Sequence, residues 1–356
     1  MARKQETEIL DNSDDADEVV PVKYEITSYG ADFLVDGLVR RLKDGSIFMP
    51  LFQRGFVWTY TQASRFIESL LLGLPVPGIF LSKEYETQKL LVIDGQQRLR
   101  TLQYFYEGIF PDSGKEFALS GVQPQFDSLT YKRLKDEDRR QLDNSILHAT
   151  IVQQEKPPED DSSIYYIFER LNTSGTPLSE QEIRACIYHG EFNNLLKDLN
   201  ENEAWRSIYG RVNKRRKEQE LILRFFALYF NSDNYKSPMK EFLNRYIASN
   251  RHLKLQSAGQ LTQVFTNTIR VINDYLGNKA FRPRGALNAA VFDSVMVGVA
   301  RRLEKGNICN REGFRERYQS LLKDEEYNEW TLSGTTDEAR VRQRIQMATN
   351  AFRDLE

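Results

Sequence analysis

What most constrains the fold is a change of periodicity along the chain. Up to about Gln153, short apolar runs of strand length alternate with stretches of helical period; beyond about Asn200 only helical patterns remain. Such a chain is expected to build an α+β core followed by an all-helical domain, and 356 residues suffice for both. Within the first part, Gly78 to Ser82 and Leu90 to Ile93 read as a hairpin or as neighbouring strands. Asp94-Gly95 follows at once, and from Gln96 a helical period runs through Leu99, Leu102 and Phe105 or Tyr106 to a stop at Gly108. Strand, tight turn and helix succeed one another with no spare residue.

The remaining elements follow from the same rules. Phe33, Leu34, Leu38 and Leu42 recur at helical spacing, and Ile47 to Val57 reads as an irregular extended segment. Thr59 or Thr61 caps a helix through Phe66, Ile67, Leu70 and Leu71. A helix from Asp136 to Leu142 and a strand from Ile146 to Gln153 complete the first core before Pro157-Pro158 breaks the chain. Ile164 to Leu171 is helical, and Ser179 with Glu182 forms a capping box for the next helix. The expected organisation is a disordered acidic tail over residues 1–20, a core over 21–156, a helical extension over 157–230 and a C-terminal helical domain over 231–356.

A net charge of −2 supplies no global basic field, so any contact with DNA must come from local patches. Cys186 and Cys309 are too few for a disulfide framework or a cysteine-based zinc site. No apolar run approaches the roughly 20 residues that span a bilayer. The chain therefore reads as soluble and cytoplasmic, without a membrane partner.

The junction Asp94-Gly95-Gln96-Gln97-Arg98 is the sharpest chemical signal. A helix starting straight after a strand presents unpaired N–H groups and the positive end of its dipole, and Gly95 allows close approach of a phosphate. Arg98 adds a forked donor, and Asp94 can hold a divalent cation shared with the phosphates. The plainer alternative is a polar turn in which Asp94 caps the helix and Arg98 makes a surface ion pair. Gln53 and Arg54, bracketed by aromatics, could fold back beside the loop; Phe52, Phe56 and Trp58 read as core rather than as stacking platforms. Arg170, Asn172 and Thr173 sit at a Gly-containing turn that helix caps alone would also explain. Arg211, Lys214, Arg215, Arg216 and Lys217 form a basic run able to touch DNA phosphates or merely to be solvated, and Arg282 with Arg284 is a second candidate that could instead close over the nucleotide. His148, His189 and His252 have no partner at motif spacing and read as structural.

Four segments together carry a resemblance. Phe52-Gln53-Arg54 with Trp58, the run from Glu68 to Pro77, Ile93 to Leu99, and Phe168 to Gly175 resemble, in order, the N-terminal domain of GmrSD-type modification-dependent restriction endonucleases, over roughly residues 25 to 230. That domain belongs to the wider ParB and sulfiredoxin-like superfamily. The resemblance implies a ParB/sulfiredoxin-like nucleotide-binding core that binds and hydrolyses a nucleoside triphosphate (GTP, ATP or CTP), coupled to recognition or cutting of modified DNA. It assigns the functional mark to Asp94, Gly95, Gln96, Gln97 and Arg98, with Asp94, Gln97 and Arg98 in the catalytic role. Gln53 and Arg54 match a pair that flanks the nucleotide, and Arg170, Asn172 and Thr173 match a further family signature.

The departures narrow this expectation. ParB proteins carry a metal-serving glutamate where Gln96 stands, so any Mg²⁺ rests on Asp94 or another acid, or is absent. Sulfiredoxin needs a cysteine there, which excludes sulfinic-acid reduction. The longer relatives carry a histidine-dependent nuclease domain C-terminally, and nothing after Asn200 matches it. The leading expectation is thus a nucleoside triphosphatase of a restriction or anti-phage system that senses or gates DNA for a separate nuclease subunit. The alternatives are a non-catalytic nucleotide-switched module and a ParB-like nuclease in its own right.

Overall fold

The computed structural model describes residues 9–10, 25–49, 56–85, 87–111, 114–156, 162–171, 178–213 and 215–356. They divide into two compact units, one from Lys23 to Leu178 and one from Ser179 to Glu356 to which residues 9–10 also attach. The helix Ser162–Leu171 belongs with the first, so the segment 157–230 is shared between the units rather than forming an extension of its own.

The strands in chain order are β1 (Ile9–Leu10), β2 (Glu25–Leu34), β3 (Ile47–Phe48), β4 (Ile79–Lys83), β5 (Leu90–Asp94), β6 (Ile146–Lys156) and β7 (Leu287–Asn288). The first unit is built on a five-stranded mixed sheet in the order β2-β6-β4-β5-β3, confirming an α+β architecture. β6 runs parallel to β4 and antiparallel to β2, and β4 and β5 form the expected antiparallel pair. The helices of this unit are α1 (Val35–Lys43), α2 (Tyr60–Leu71), α3 (Gln96–Glu107), α4 (Asp136–Asp143) and α5 (Ser162–Leu171). Leu81, Val92, Leu147 and Ala149 of the sheet and Leu38, Ile67, Leu99, Leu102 and Phe105 of the helices are fully buried in one core. Each such large side chain contributes about 1.5–3 kcal/mol.

Thr59 caps α2 in a reciprocal box with Gln62, and Gly108 ends α3 in the left-handed region as its sequence position suggested. Phe33 and Leu34, expected in the first helix, instead close β2, whose ten residues pair with β6 along their whole length. β2 is an edge strand exposed along most of its length, so it lacks the alternation that announces a half-buried strand. Among the described residues of the extended segment 47–57, only Ile47–Phe48 is strand.

On the other face of the sheet, Gln154 Oε1 accepts hydrogen bonds from the backbone N–H (3.0 Å) and hydroxyl of Ser163, which fixes the start of α5 over β6. α5 then reaches β5, and Leu91, Ser82 and Val152 are buried on this side.

The second unit contains α6 (Glu180–Ile187), α7 (Glu191–Asn200), α8 (Glu203–Tyr209), α9 (Lys217–Asn231), α10 (Met239–Ser249), α11 (Ala258–Leu276), α12 (Ala289–Leu303), α13 (Arg311–Lys323), α14 (Glu325–Leu332) and α15 (Glu338–Phe352). α6 opens on the Ser179 and Glu182 capping box expected from the sequence. The unit is not wholly helical, because Ile9–Leu10 pairs in parallel with Leu287–Asn288. Ile9 and Leu10 are an adjacent apolar pair in a largely polar stretch, which gives these two residues of the expected tail a reason to dock. The rest of that tail lies outside the described residues. At the centre of the helices, Asp293 of α12 bonds both Arg224 of α9 (2.7 Å) and Arg344 of α15 (3.2 Å), all three being buried. Among the described residues no helix is long and apolar enough to cross a membrane.

Candidate functional site

The turn between β5 and α3 consists of one residue. Gly95 occupies the N-cap position of α3 at φ +96°, in the left-handed region. A Cβ placed there would lie 2.3 Å from Ile79 Cγ2 and 2.9 Å from Ile79 Cβ. Both the conformation and the space therefore demand glycine, and α3 begins without a side-chain cap over its first amides. Asp94 is accordingly not the cap that the plainer reading of this turn expected.

Arg98 lies on the first turn of α3 and points inward, its side chain only 16% exposed. Its Nη2 donates to Asp94 Oδ2 at 2.8 Å and to the Gly78 carbonyl at 2.9 Å. The ion pair of the plainer alternative thus exists, but it is half-buried and ties the guanidinium to the start of β4. Nε of Arg98 is buried with no acceptor among the described residues, and Nη1 carries no bond there. Asp94 is 46% exposed on its side chain.

Gln97, expected in a catalytic role, is engaged in a backbone contact. Its Oε1 accepts from the backbone N–H groups of Val57 (2.9 Å) and Trp58 (3.2 Å), bracing the end of the aromatic segment against α3. Two of the motifs read from the sequence therefore converge. Phe56 packs edge-on against Tyr104 and Phe110, and Trp58 against Phe66, so these aromatics belong to the core as expected. Gln96 is half-buried beside Gln97. Gln53, Arg54, Asn172 and Thr173 lie outside the described residues. Arg170 is exposed in the last turn of α5, which starts over β6 and is carried toward β5, the strand that ends at Asp94.

No group of three His, Cys, Asp or Glu side chains able to hold a metal occurs among the described residues, which leaves Asp94 a lone carboxylate for any cation. In the second unit, Arg211, Arg215 and Lys217 are exposed and Lys214 lies outside the described residues. Arg216 does not belong to that surface. It takes a left-handed φ of 57° at the N-cap of α9 and turns inward, and burial lowers its pKa from the ordinary arginine value. Arg282 donates from Nη2 to the carbonyls of Ile208 (3.3 Å) and Tyr209 (3.4 Å) at the end of α8, so it is engaged within its own unit.

Two features escaped the sequence. One is the Gly78 carbonyl, a backbone acceptor that no motif reports. The other is His148, expected to be structural, whose Nδ1 lies 2.7 Å from Asp32 Oδ1 with both side chains 62% exposed. The two are 116 positions apart and meet only through the β2–β6 register.

No curated protein matches this chain. Residues 35–189 match the family model described as GmrSD restriction endonuclease, N-terminal domain, a shorter span than the 25–230 over which the motifs resemble it, but one that contains all four. The segment from residue 35 to residue 189 is a member of the GmrSD restriction endonuclease N-terminal domain family.

Proposed function

We propose that the β5–α3 junction is an anion cradle for the phosphates of a nucleoside triphosphate, and that the chain hydrolyses this nucleotide to gate the recognition or cutting of modified DNA by a separate nuclease. The observation that carries the reading is Gly95. Its left-handed backbone starts α3 directly after β5 with no side-chain cap, and at such an N-terminus the helix dipole and backbone amides favour negative charge. Arg98 is held beside the junction by Asp94 and Gly78, which leaves Nη1 for a phosphate oxygen.

In this reading Gly95, Gln96 and Arg98 contact the nucleotide, joined by Gln53, Arg54, Arg170, Asn172 and Thr173, and Mg²⁺ arrives with the phosphates and is met by Asp94. The core then takes its place in the ParB and sulfiredoxin-like superfamily, a placement supported by the strand, glycine turn and helix that bear the motif. The family to which residues 35–189 belong, that of a restriction endonuclease domain, supplies the link to DNA. Arg211, Arg215 and Lys217 are the exposed cations offered to its phosphates.

One observation favours a second reading, a nucleotide switch without turnover: Asp94 already pairs with Arg98, and no acid cluster for a metal accompanies it among the described residues. Phosphate release from GTP, ATP and CTP, with Mg²⁺ and with and without modified DNA, separates the two. Turnover that is lost in Asp94→Ala and Arg98→Ala supports hydrolysis; tight binding without release supports the switch; absence of binding defeats both.

A further inference from the structure

Among the described residues, α5 packs over only part of its face of the sheet. The pairing register aligns Asp94, Phe80, Thr150 and Gly30 in a row across β5, β4, β6 and β2, with an irregularity between Phe80 and Leu81, and pairs His148 with Asp32 two residues away along β6 and β2. α5 lies farther along, where Leu91, Ser82 and Val152 are buried, so the end bearing Asp94, His148 and Asp32 forms an exposed shelf.

His148 is set into this shelf between glycines. A Cβ on Gly30 would come 3.2 Å from His148 Cε1 and 3.4 Å from Nε2, and one on Gly78 would strike the His148 carbonyl oxygen at 2.7 Å. An ion pair exposed at 62% on both sides adds little stability, so the pairing of His148 with Asp32 is not explained by folding. The Asp32 carboxylate at Nδ1 favours the tautomer with its proton there, which leaves Nε2 as the nitrogen able to accept a proton. The Gly78 carbonyl accepts from Arg98 Nη2 at 2.9 Å, so the residue packed against the His148 backbone is also the one that holds Arg98. Two strand spacings across and two residues along put Asp94 and His148 on the order of 10–12 Å apart between Cα atoms. That span suits a polyphosphate chain better than a single phosphate.

We propose that His148, oriented by Asp32, is the general base for hydrolysis of the nucleotide held at Gly95, an inference that rests on the nucleotide reading above. Nε2 takes a proton from water as the water oxygen bonds to the terminal phosphorus. The bond from that phosphorus to its bridging oxygen breaks, and the electron pair departs with the nucleoside diphosphate. Nε2 then returns its proton to solvent. Asp32 is a positioning residue.

The test compares the full-length chain with His148→Ala and Asp32→Asn, both surface changes, with thermal unfolding confirming that they fold. Nucleotide binding is measured by calorimetry and phosphate release is followed with and without added imidazole. His148→Ala is expected to bind nucleotide as the parent does, to lose about 10²–10⁴-fold in kcat, and to regain part of it with imidazole. Asp32→Asn is expected to lose less kcat at unchanged affinity. Unchanged turnover in His148→Ala, a loss that imidazole does not restore, or a loss explained by weaker binding overturns the role. A parent chain that binds without turnover overturns the general base but leaves nucleotide binding standing, whereas one that binds no nucleotide removes both.

Discussion

Gln97 Oε1 accepts from two consecutive backbone amides, those of Val57 and Trp58, so one side chain on the first turn of α3 holds the end of a segment about 40 positions earlier in the chain. A carboxamide oxygen has two lone pairs, and both are used here. The residue couples two motifs and acts as a brace between them.

Gln97→Leu leaves those two amides without their acceptor and is expected to destabilise the chain by about 1–3 kcal/mol, read as a lower urea midpoint. Gln97→Glu retains an oxygen at the same place and should stay close to the parent. Equal loss in both variants would show that the bonds to Val57 and Trp58 do not matter to folding.

Gly95→Ala meets two penalties, a left-handed backbone and a Cβ 2.3 Å from Ile79 Cγ2. The strained conformation costs about 1–3 kcal/mol and the overpacking a similar amount. Combined with Ile79→Ala, which removes the clashing methyl, the loss should be smaller than the sum of the single losses. Strict additivity would place the strain elsewhere.

In the second unit, Asp293→Asn removes the carboxylate that bonds Arg224 and Arg344 in the buried centre of the helices. Breaking a buried pair by removing one partner costs about 3–5 kcal/mol, because the remaining charge is stranded away from water. Denaturant unfolding of the full chain measures it, and a cost under about 1 kcal/mol would mean that water reaches these arginines after all.

Burial raises the carboxyl pKa of Glu218 above its ordinary 4.5, opposed by acceptance of hydrogen bonds from the Asn213 amide and the Asn200 carboxamide. With the folded pKa above the unfolded one, the folded state holds the proton more tightly in the window between them. The contribution of Glu218 to stability is therefore complete below pH 4.5 and is lost as pH rises through the raised value. Glu218→Gln should flatten that part of the stability profile. A slope identical to that of the parent would show that other groups produce it.

Much of the junction was legible in linear order. An apolar run ending in Asp94-Gly95 and continuing as a helix admits little besides a strand, a tight turn and a helix, and the structure has those elements with glycine where the backbone demands it. The caps at Thr59 and at Ser179 with Glu182 were equally local, since a side chain three residues from its amide needs no tertiary information. β2 was not legible. An edge strand exposed on both sides has no apolar period, and its existence depends on β6, more than a hundred residues later.

Local chemistry along the chain thus determined the α+β character of the first half, the helices of the second and the glycine turn between β5 and α3. Tertiary structure decided what the side chains at that turn do: Arg98 reaches back to Gly78, Gln97 is spent on Val57 and Trp58, Arg216 leaves the basic surface, and His148 finds Asp32. The physical reason is that propensity and capping act within one turn of chain, whereas hydrogen-bond partners are chosen by strand register and helix packing, which bring together residues that no sequence spacing relates.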